Sequence, residues 1–560
     1  MKDRNITNYM LSLFSLIRLS FLLNILLFTA FYANGKTQYS SSVRTELVLS
    51  DTVTEQSWWD VTHYRIAVTP DYRQKSISGE NHIAFLAKHA GASLQVDLQQ
   101  PMKITRVVWN NRDVLFKRKN EGAYIISFPK VIKAGEKHTI IIQFEGKPQE
   151  ALNPPVDNGW IWTKDEKGRP WISVACEGSG ASIWLPCKDV LADEPDNGIL
   201  FDITVPDTLV AVANGRFKRR ISNNGTATYT WVVKSPINSY NIVPYVGHYV
   251  TWHKQYAGLN KLLDCDFWVL DYNLNRGKEH FKQTDTMLRA FEYWLGPYPF
   301  YADSYKLVEA PLPGMEHQSA VAYGNGFQNG YRGKDFISAT GWGLKWDFML
   351  VHESGHEWFG NSITAATYGD TWIHEGFTKY LETLYTDFVF GREAGNEYAL
   401  GTWKRIKNDS PILGTNTSDK YYKGSAMLHT IRQLVGDSVF RGWLHEINRK
   451  FYHQVINTGQ ILKLLNGYTK KDFSKVFAQY LQTTKIPVLE YYFQAGKLHY
   501  RWSGCVDGFD MPLKISFDPS NVTVINPTTQ WQTLTVTNAT GRLMVDRNFL
   551  IKVTEVTASN

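Results

Sequence analysis

The stretch that decides the fold is Val351-His352-Glu353-Ser354-Gly355-His356-Glu357-Trp358-Phe359-Gly360-Asn361. It contains the pattern H-E-x-x-H, with two histidines four residues apart. On a helix this spacing places both imidazoles on one face, where they can bind a single metal ion. Two imidazoles and a carboxylate suit Zn²⁺ with its fourth position open to water. The stretch therefore predicts a helix that carries one zinc site.

Glu353 has the position that a general base needs in such a site. It precedes His356 by three residues, so it stands beside the metal without having to bind it. A carboxylate there can take a proton from the water that zinc polarises. Phe348, Val351 and Phe359 give the predicted helix an apolar side, as a site inside a domain requires. We expect Glu353 to be catalytic.

The third zinc ligand must come from another part of the chain. Glu375 follows His356 after 18 intervening residues and lies near the start of a strongly apolar predicted helix. By chemistry alone, His374 and Asp370 are alternatives to Glu375. Glu382 lies seven residues after Glu375, on the same helix face, where it could orient a ligand imidazole. An ordinary solvated carboxylate is the other interpretation of Glu382.

The composition excludes several classes of protein. The 560 residues are 43% hydrophobic and 20% charged, which excludes a disordered, collagen-like or coiled-coil chain. The 60 Lys and Arg exceed the 53 Asp and Glu by only a small margin, without a polybasic run, so we expect no nucleic-acid partner. Four cysteines are too few for a disulfide framework.

The N-terminus has the features of a signal peptide over residues 1–35. Lys2 and Arg4 precede an apolar stretch at 19–31, and small residues follow at 33–35. Thirteen residues are too few for a membrane span, which needs about 20. We therefore expect an exported, periplasmic or extracellular protein with no membrane span in the mature chain. The alternative is an uncleaved anchor that includes the apolar run at 10–17, but Arg18 interrupts it.

The pattern of apolar residues divides the rest of the chain into three regions. Alternation without a useful helical period predicts an all-β domain at 36–253. A domain with helices follows at 254–485, and alternation returns in a small β domain at 486–560. The predicted helices lie at 278–295, 346–362, 372–390, 424–435 and 461–481.

Further motifs occur in a fixed order along the chain. They are Cys176-Glu177 with 184–187 (W-L-P-C), 296–299 (G-P-Y-P), 313–317 (P-G-M-E-H), 372–377 (W-x-x-E-G-F) and 421–424 (Y-x-K-G). Together with H-E-x-x-H, this set resembles the M1 family of zinc aminopeptidases. The resemblance extends from about residue 60 to residue 490 and is far more specific than H-E-x-x-H alone.

The resemblance implies a multidomain α+β fold with an N-terminal saddle-like β domain, a thermolysin-like zinc catalytic domain and a short C-terminal β-sandwich. The large C-terminal helical domain of many members is not expected here. It also implies one Zn²⁺ per chain and peptide substrates with a free N-terminus. By matching positions, it implies zinc ligands at His352, His356 and Glu375, with Glu353 as base and Tyr421 as the donor to the oxyanion. Substrate binding is implied for Glu177, Glu316 and Gly314.

Two departures from the family pattern G-x-M-E-N bear on that substrate site. Pro313 replaces a glycine and so removes one backbone N–H, whereas Gly314 keeps its own. His317 replaces the usual asparagine, which changes the local hydrogen bonding. Glu316 itself is retained.

The leading hypothesis is a secreted zinc aminopeptidase. Two carboxylates can hold the free α-amine of a peptide, whereas an internal peptide bond offers no positive charge to offset their desolvation. Glu316 and Glu177 therefore argue against an endopeptidase. Epoxide hydrolysis, which one relative performs, needs an additional acid that the sequence does not identify. A scaffold without zinc conflicts with the intact metal, base and tyrosine positions.

Two finer expectations concern Tyr421 and the cysteines. Tyr421 is in helical phase with an apolar set, whereas Tyr422 is in phase with a more polar one, which favours Tyr421 as the buried donor. The first set is Gly424, Leu428, Ile431 and Val435, and the second is Ala426, His429 and Gln433. Cys176 and Cys187 flank one short segment, so at most one disulfide, between these two, is expected.

Overall fold

The structure is a computed structural model that describes residues 54–154, 156–518, 522–536 and 543–557. The predicted signal peptide at 1–35 lies outside these residues. Among the described helices, none is both long and apolar enough to cross a membrane.

The N-terminal region is built from strands whose side chains alternate between buried and exposed. Its strands are β1 Trp59–Asp71, β2 Ser76–Ala87, β3 Gly91–Asp97, β4 Lys103–Trp109, β5 Arg112–Asp113, β6 Leu115–Arg118, β7 Ala123–Ile132, β8 Lys137–Gly146, β9 Gly159–Lys164, β10 Pro170–Ala175, β11 Ile199–Pro206, β12 Val210–Val212, β13 Arg216–Asn223, β14 Thr226–Val233 and β15 Tyr245–Gly247. The largest sheet has eight strands in the order β13-β14-β11-β1-β2-β8-β4-β5. Two smaller sheets have the orders β12-β15-β10-β9 and β3-β7-β6. This region is β-rich, as the sequence predicts.

The catalytic region starts with a five-stranded sheet in the order β16-β17-β18-β20-β19, in which β19 forms the edge. The strands of this region are β16 Tyr249–Ala257, β17 Leu262–Leu270, β18 Tyr305–Glu309, β19 Gly314–Met315, β20 Val321–Tyr323, β21 Ile363–Ala365 and β22 Gln454–Ile456. The predicted boundary between residues 253 and 254 falls inside β16, which pairs with β17. Strand pairing thus places the start of the catalytic sheet at Tyr249.

Nine helices of the described residues follow or accompany this sheet. They are α1 Leu274–His280, α2 Gln283–Leu295, α3 Phe348–Gly355, α4 Trp372–Phe390, α5 Arg392–Thr402, α6 Asp419–Val435, α7 Asp437–Lys450, α8 Thr458–Thr469 and α9 Ser474–Gln482. Helix α4 has the predicted bounds. The predicted helices at 278–295 and 461–481 are each divided in two. In the second case the division is at Lys470, whose left-handed backbone with φ of 57° ends α8.

The C-terminal region contains two small sheets, in line with the expected β-sandwich. Its strands are β23 Val488–Gln494, β24 Lys497–Ser503, β25 Leu513–Ser516, β26 Val522–Ile525, β27 Gln532–Thr535, β28 Met544–Val545 and β29 Lys552–Glu555. The sheet orders are β27-β24-β23-β29 and β26-β25-β28. The apolar side chains of this region belong to the same hydrophobic core as those of the catalytic region, for example Leu489 and Trp502.

The sequence predicts at most one disulfide, between Cys176 and Cys187, and the structure has no bond between these two buried side chains. Cys176 follows β10, and its Sγ lies 3.4 Å from the carbonyl oxygen of Tyr240. Cys187 is held elsewhere, because its backbone pairs with Asp97 at the end of β3. The short segment between the two cysteines therefore joins different sheets instead of forming a β turn.

Candidate metal centre

The helix α3 carries the H-E-x-x-H residues and is fixed at its N-terminus by Asp347. The Asp347 side chain accepts a hydrogen bond of 3.0 Å from the backbone N–H of Leu350, which is a standard N-terminal cap. The helix is shorter than the predicted 346–362 and has His356 at its C-terminal cap. Beyond it, Gly360 has a φ of +126°, which an L side chain rarely adopts. The helix thus ends at the second histidine, and the glycine turn lies four residues further on.

His352 is oriented by Glu382. The Nδ1 of His352 lies 2.7 Å from Oε1 of Glu382, and a carboxylate can only accept there, so Nδ1 carries the proton and Nε2 presents a lone pair. Glu382 is fully buried and also accepts hydrogen bonds from Lys379 and Tyr398. The ring of Phe348 stacks on His352 with a centroid distance of 5.2 Å. The imidazole is thus held in one orientation.

His356 is oriented in a similar way by the backbone. Its Nδ1 lies 3.0 Å from the carbonyl oxygen of Phe359, which again leaves Nε2 with a lone pair. Burial lowers the pKa of His356 to about 4, because the charged form is disfavoured away from water. A neutral imidazole with a free Nε2 is the form that binds a metal.

Glu375 completes a set of three ligand atoms with the two histidines. One ligand atom from each of the three residues lies within 4.8 Å of the others, and all three side chains are buried. Oε2 of Glu375 is 3.6 Å from Nε2 of His356 and, among the described residues, has no hydrogen-bond partner. A buried carboxylate oxygen without a partner is costly. The donor set, two imidazole nitrogens and this oxygen, fits a zinc ion with an open fourth position.

The two alternative ligands, His374 and Asp370, are occupied elsewhere. Nε2 of His374 accepts a hydrogen bond of 2.7 Å from the backbone N–H of Ala365. Oδ1 of Asp370 accepts from both the backbone N–H and the hydroxyl of Thr458, at the start of α8. Geometry therefore selects Glu375.

Glu353 lies against the sheet edge formed by Gly314. An added Cβ at Gly314 would come within 2.7 Å of Oε1 of Glu353 and 2.6 Å of Sδ of Met349, so a side chain there would displace Glu353 or Met349. Glu353 is 8% exposed. Burial raises its pKa to about 7, with the neighbouring Glu375 acting in the same direction and His352 against it. A carboxylate with such a pKa is suited to accept a proton near neutral pH.

Glu316 follows β19 and stands next to the metal site. One of its carboxylate oxygens lies within 4.8 Å of ligand atoms of Glu353 and His356. Burial raises its pKa well above the usual range, and the charge of Glu177 adds to this effect. The hydroxyl of Tyr240 donates a hydrogen bond of 3.1 Å to Oε1 of Glu316. The structure thus places Glu316 next to the metal site, with Glu177 near enough to raise its pKa.

His317, the departure from the family pattern, makes a polar contact with the N-terminal region. Its Nδ1 lies 2.7 Å from the hydroxyl of Tyr245, which itself donates to the carbonyl of Ala320. The hydroxyl hydrogen is therefore used, and Nδ1 of His317 is the donor to Tyr245. Burial lowers the pKa of His317 to about 3, so the ring is neutral.

Tyr421 and Tyr422 have different surroundings. The hydroxyl of Tyr421 donates a hydrogen bond of 2.6 Å to Oε1 of Glu375, at the metal site. The ring of Tyr422 instead faces the ammonium group of Lys379 at 5.2 Å. The sequence predicts that Tyr421 lies on a buried face of α6 and Tyr422 on a more polar one. This prediction is wrong, because α6 is buried on both sides and its buried residues include His429 and Gln433. The hydrogen bond, not the helical phase, distinguishes the two tyrosines.

Three residues of the site were not identified from the sequence. Tyr240 contacts Glu316, Asn361 donates a hydrogen bond of 2.8 Å to the backbone carbonyl of Glu316, and Lys420 places its ammonium group 3.7 Å from Oε1 of Glu375. Lys420 directly precedes the Y-x-K-G motif, so its position could have been noticed. Tyr240 comes from another domain, and no local pattern marks it.

Comparison with known proteins matches this chain to two family models. Residues 61–241 match the Peptidase M1 N-terminal domain, and residues 339–480 match the Peptidase family M1 domain. The two matches together cover more than half of the 560 residues. The chain belongs to peptidase family M1. It is therefore a zinc metallopeptidase, and its cofactor is Zn²⁺ at the site described above.

Similar M1 proteins include enzymes and solved structures. Leukotriene A-4 hydrolase of Xenopus laevis is 22% identical over 453 residues, which cover 74% of this chain and 69% of the relative. Aminopeptidase B of Homo sapiens is 23% identical over 356 residues, covering 58% of this chain but only 50% of the relative. An M1 zinc metallopeptidase from Deinococcus radiodurans, solved with a Tyr-Ser-Ala substrate, superposes with a TM-score of 0.65 at 22% identity. That superposition covers 77% of this M1 peptidase and 96% of the neighbour.

Proposed function

We propose that this chain is an exported zinc aminopeptidase that removes the N-terminal residue from peptides. One observation carries the proposal. A carboxylate oxygen of Glu316 lies within 4.8 Å of ligand atoms of Glu353 and His356. In a peptide, the α-amine and the first carbonyl carbon are separated by only two bonds, of about 1.5 Å each. An amine on Glu316 therefore places the first peptide bond at Glu353, whereas one more residue would add about 3.3–3.6 Å.

Substrate binding begins with the free amine. The ammonium group forms charge-assisted hydrogen bonds with the buried Glu316 and with Glu177, whose charge lies near enough to raise the pKa of Glu316. A blocked or internal amide offers no positive charge and leaves both carboxylates without compensation. Gly314 lies on the edge strand β19, where its backbone can approach the substrate closely because it has no Cβ.

The chemical step uses Glu353 and Tyr421. His352, His356 and Glu375 would hold the zinc ion, which would supply Lewis-acid polarisation of the carbonyl group and a more acidic water. Glu353 accepts a proton from the attacking water and passes it to the leaving amine. The hydroxyl of Tyr421, which donates to Oε1 of Glu375 in the structure, turns its hydrogen to the oxygen on which negative charge develops.

Hydrolysis of a panel of aminoacyl 4-nitroanilides, with and without a chelator, tests the function. We expect release of nitroaniline that is lost with the chelator and restored by Zn²⁺. The matched N-acetylated substrates serve as controls for the free amine. If the free and acetylated substrates are cleaved at similar rates, the chain is not an aminopeptidase.

Export is supported by the charged start and apolar stretch of the first 35 residues. N-terminal sequencing of the protein recovered from outside the cytoplasm tests it. We expect a chain that begins close to residue 36. A chain that retains the first residues would indicate an anchor or no export.

A further inference from the structure

A short segment of the N-terminal region reaches into the amine site. Residues Ser239–Asn241 form a single 3₁₀ turn whose residues are all buried. The side chain of Asn238 fixes this turn in two ways. It accepts a hydrogen bond from the backbone N–H of Tyr240, and it donates one of 2.8 Å to the carbonyl of Leu191. The turn is thus held rigidly by the N-terminal region itself.

Tyr240 extends from this turn to the side chain of Glu316. Its hydroxyl donates to Oε1 of Glu316 at 3.1 Å, and the tyrosine is only 1% exposed. Glu177 and Glu375 also lie close enough to raise the pKa of Tyr240, after the larger effect of burial. The phenol therefore lies among the carboxylates of the reaction centre.

The next residue, Asn241, acts on the main chain of the same glutamate. Nδ2 of Asn241 donates a hydrogen bond of 2.8 Å to Oδ1 of Asn361. Nδ2 of Asn361 in turn donates to the backbone carbonyl of Glu316, also at 2.8 Å. Two consecutive residues of the N-terminal region thus hold both the carboxylate and the backbone of Glu316.

Glu316 needs such support because its surroundings oppose its charge. It is 5% exposed and lies beside Glu353 and Glu177. A donated hydrogen bond favours the ionised form and fixes the direction of the carboxylate.

We propose that Tyr240 is a positioning residue for the free amine, through which the N-terminal region sets the orientation of Glu316. This inference rests on the proposed aminopeptidase function and identifies a determinant of its substrate recognition. The contact that Tyr240 supports, between Glu316 and the bound amine, is made in both the ground state and the transition state. Its loss therefore raises KM more than it lowers kcat.

The substitution Tyr240→Phe removes one hydroxyl and keeps the ring. We expect KM for an aminoacyl 4-nitroanilide to rise by about 10- to 100-fold, the range for a hydrogen bond to a charged group. We expect kcat to change by less than about threefold. Tyr256→Phe is the matched control, because Tyr256 is also buried and donates at 3.1 Å to a buried carboxylate, Glu292. That control variant should keep the wild-type KM.

Two hydroxamates separate recognition of the amine from a general disturbance of the site. Leucine hydroxamate carries a free amine, whereas acetohydroxamate does not. In Tyr240→Phe, Ki should rise for leucine hydroxamate and stay unchanged for acetohydroxamate. Equal losses of affinity for both inhibitors would overturn the proposal.

A double-mutant cycle tests whether Tyr240 acts through Glu316. In a Glu316→Ala background, Tyr240→Phe should have no further effect on KM. A full effect in that background would mean that Tyr240 has a structural role only. If Tyr240→Phe does not fold, Asn241→Ala gives the same test through the backbone contact, with a selective rise of Ki for leucine hydroxamate expected.

A failure of the proposal for Tyr240 can be distinguished from a failure of the proposed aminopeptidase function. If the wild-type protein does not distinguish free from acetylated substrates, the aminopeptidase function itself is wrong. If it does distinguish them and both Tyr240→Phe and Asn241→Ala keep the wild-type KM, only the role of Tyr240 is wrong.

Discussion

The hydroxyl of Tyr421 and the carboxylate of Glu375 are joined by a hydrogen bond of 2.6 Å to Oε1. Oε2 of the same carboxylate, 3.6 Å from Nε2 of His356, is left for the metal. Glu375 thus uses one oxygen for the zinc site and the other to hold the phenol beside it. This arrangement explains how a residue 46 positions away in the sequence is kept at the reaction centre.

Tyr421→Phe should lower kcat by about 10²-fold or more, because one donor to the developing oxyanion is worth about 3–4 kcal/mol. Zinc content and KM should stay close to those of the wild type. Tyr422→Phe is the control, since its ring faces Lys379 and not the metal ligands. Steady-state kinetics of both variants check the prediction, and the reverse ranking would show that Tyr422 is the donor.

Glu353→Gln should retain zinc and lose about 10²-fold or more of kcat, the scale of a positioned general base. The amide keeps the shape of the side chain next to Gly314 but cannot accept the proton. Metal analysis and kinetics on the same preparation are the measurement. Full activity in a zinc-loaded variant would contradict the assigned role.

Glu382→Ala should weaken zinc binding by about 10- to 100-fold, because partners of ligand histidines contribute on this scale. The substitution removes the acceptor that holds Nδ1 of His352 at 2.7 Å. Competition with a chelator measures the affinity. Glu292→Ala, which also removes a buried carboxylate but one whose hydrogen-bond partners include Tyr256 and Tyr301, should bind zinc normally.

Acetylation of the substrate amine should reduce kcat/KM by at least 10-fold. A lost charge-assisted contact is worth about 1.5–3 kcal/mol, and the buried Glu316 then faces no ammonium group of the substrate. A pair of tripeptides that differ only in the acetyl group is the appropriate measurement, followed by chromatography of the products. Release of the same products from both peptides would exclude recognition of the amine.

His317 should make the protein less stable as the pH falls below about 6.5. Its pKa is lowered to about 3 by burial, against about 6.5 in the unfolded chain. The unfolded state therefore takes up the proton first, and about 2 kcal/mol of stability is lost by pH 5. His317→Asn should show a smaller decrease in the urea midpoint between pH 7 and pH 5. If the urea midpoints of the two proteins fall by the same amount between pH 7 and pH 5, this effect of burial is contradicted.

The zinc ligands could be predicted from the sequence because they depend on local spacing. A helix fixes residues i and i+4 on one face, so His352 and His356 follow from the pattern alone. The choice between Glu375 and His374 could not be made in this way, since it depends on the backbone N–H of Ala365 that occupies His374. Family resemblance, not spacing, supplied the third ligand.

The limits of sequence reasoning are clearest for Tyr421 and Tyr240. Helical phase distinguishes two faces only when one of them is exposed, and α6 is surrounded by other elements. Tyr240 reaches Glu316 across 76 positions of sequence through the packing of two regions. Such contacts depend on tertiary structure and leave no periodic signal. The β-rich N-terminal region, in contrast, was predictable from alternation over many strands.

The burial of residues 372–386 of α4 has a consequence for how this enzyme can diversify. Every residue from 372 to 386 is buried, including Glu375 and Glu382 on two turns of one face. Substitutions in this segment disturb a close-packed interior, where even one methylene group affects stability. Mutational tolerance should therefore be lowest here in a deep mutational scan. New preferences for the N-terminal side chain of the substrate are expected to arise by changes in the loops around the cleft, while this helix stays nearly invariant.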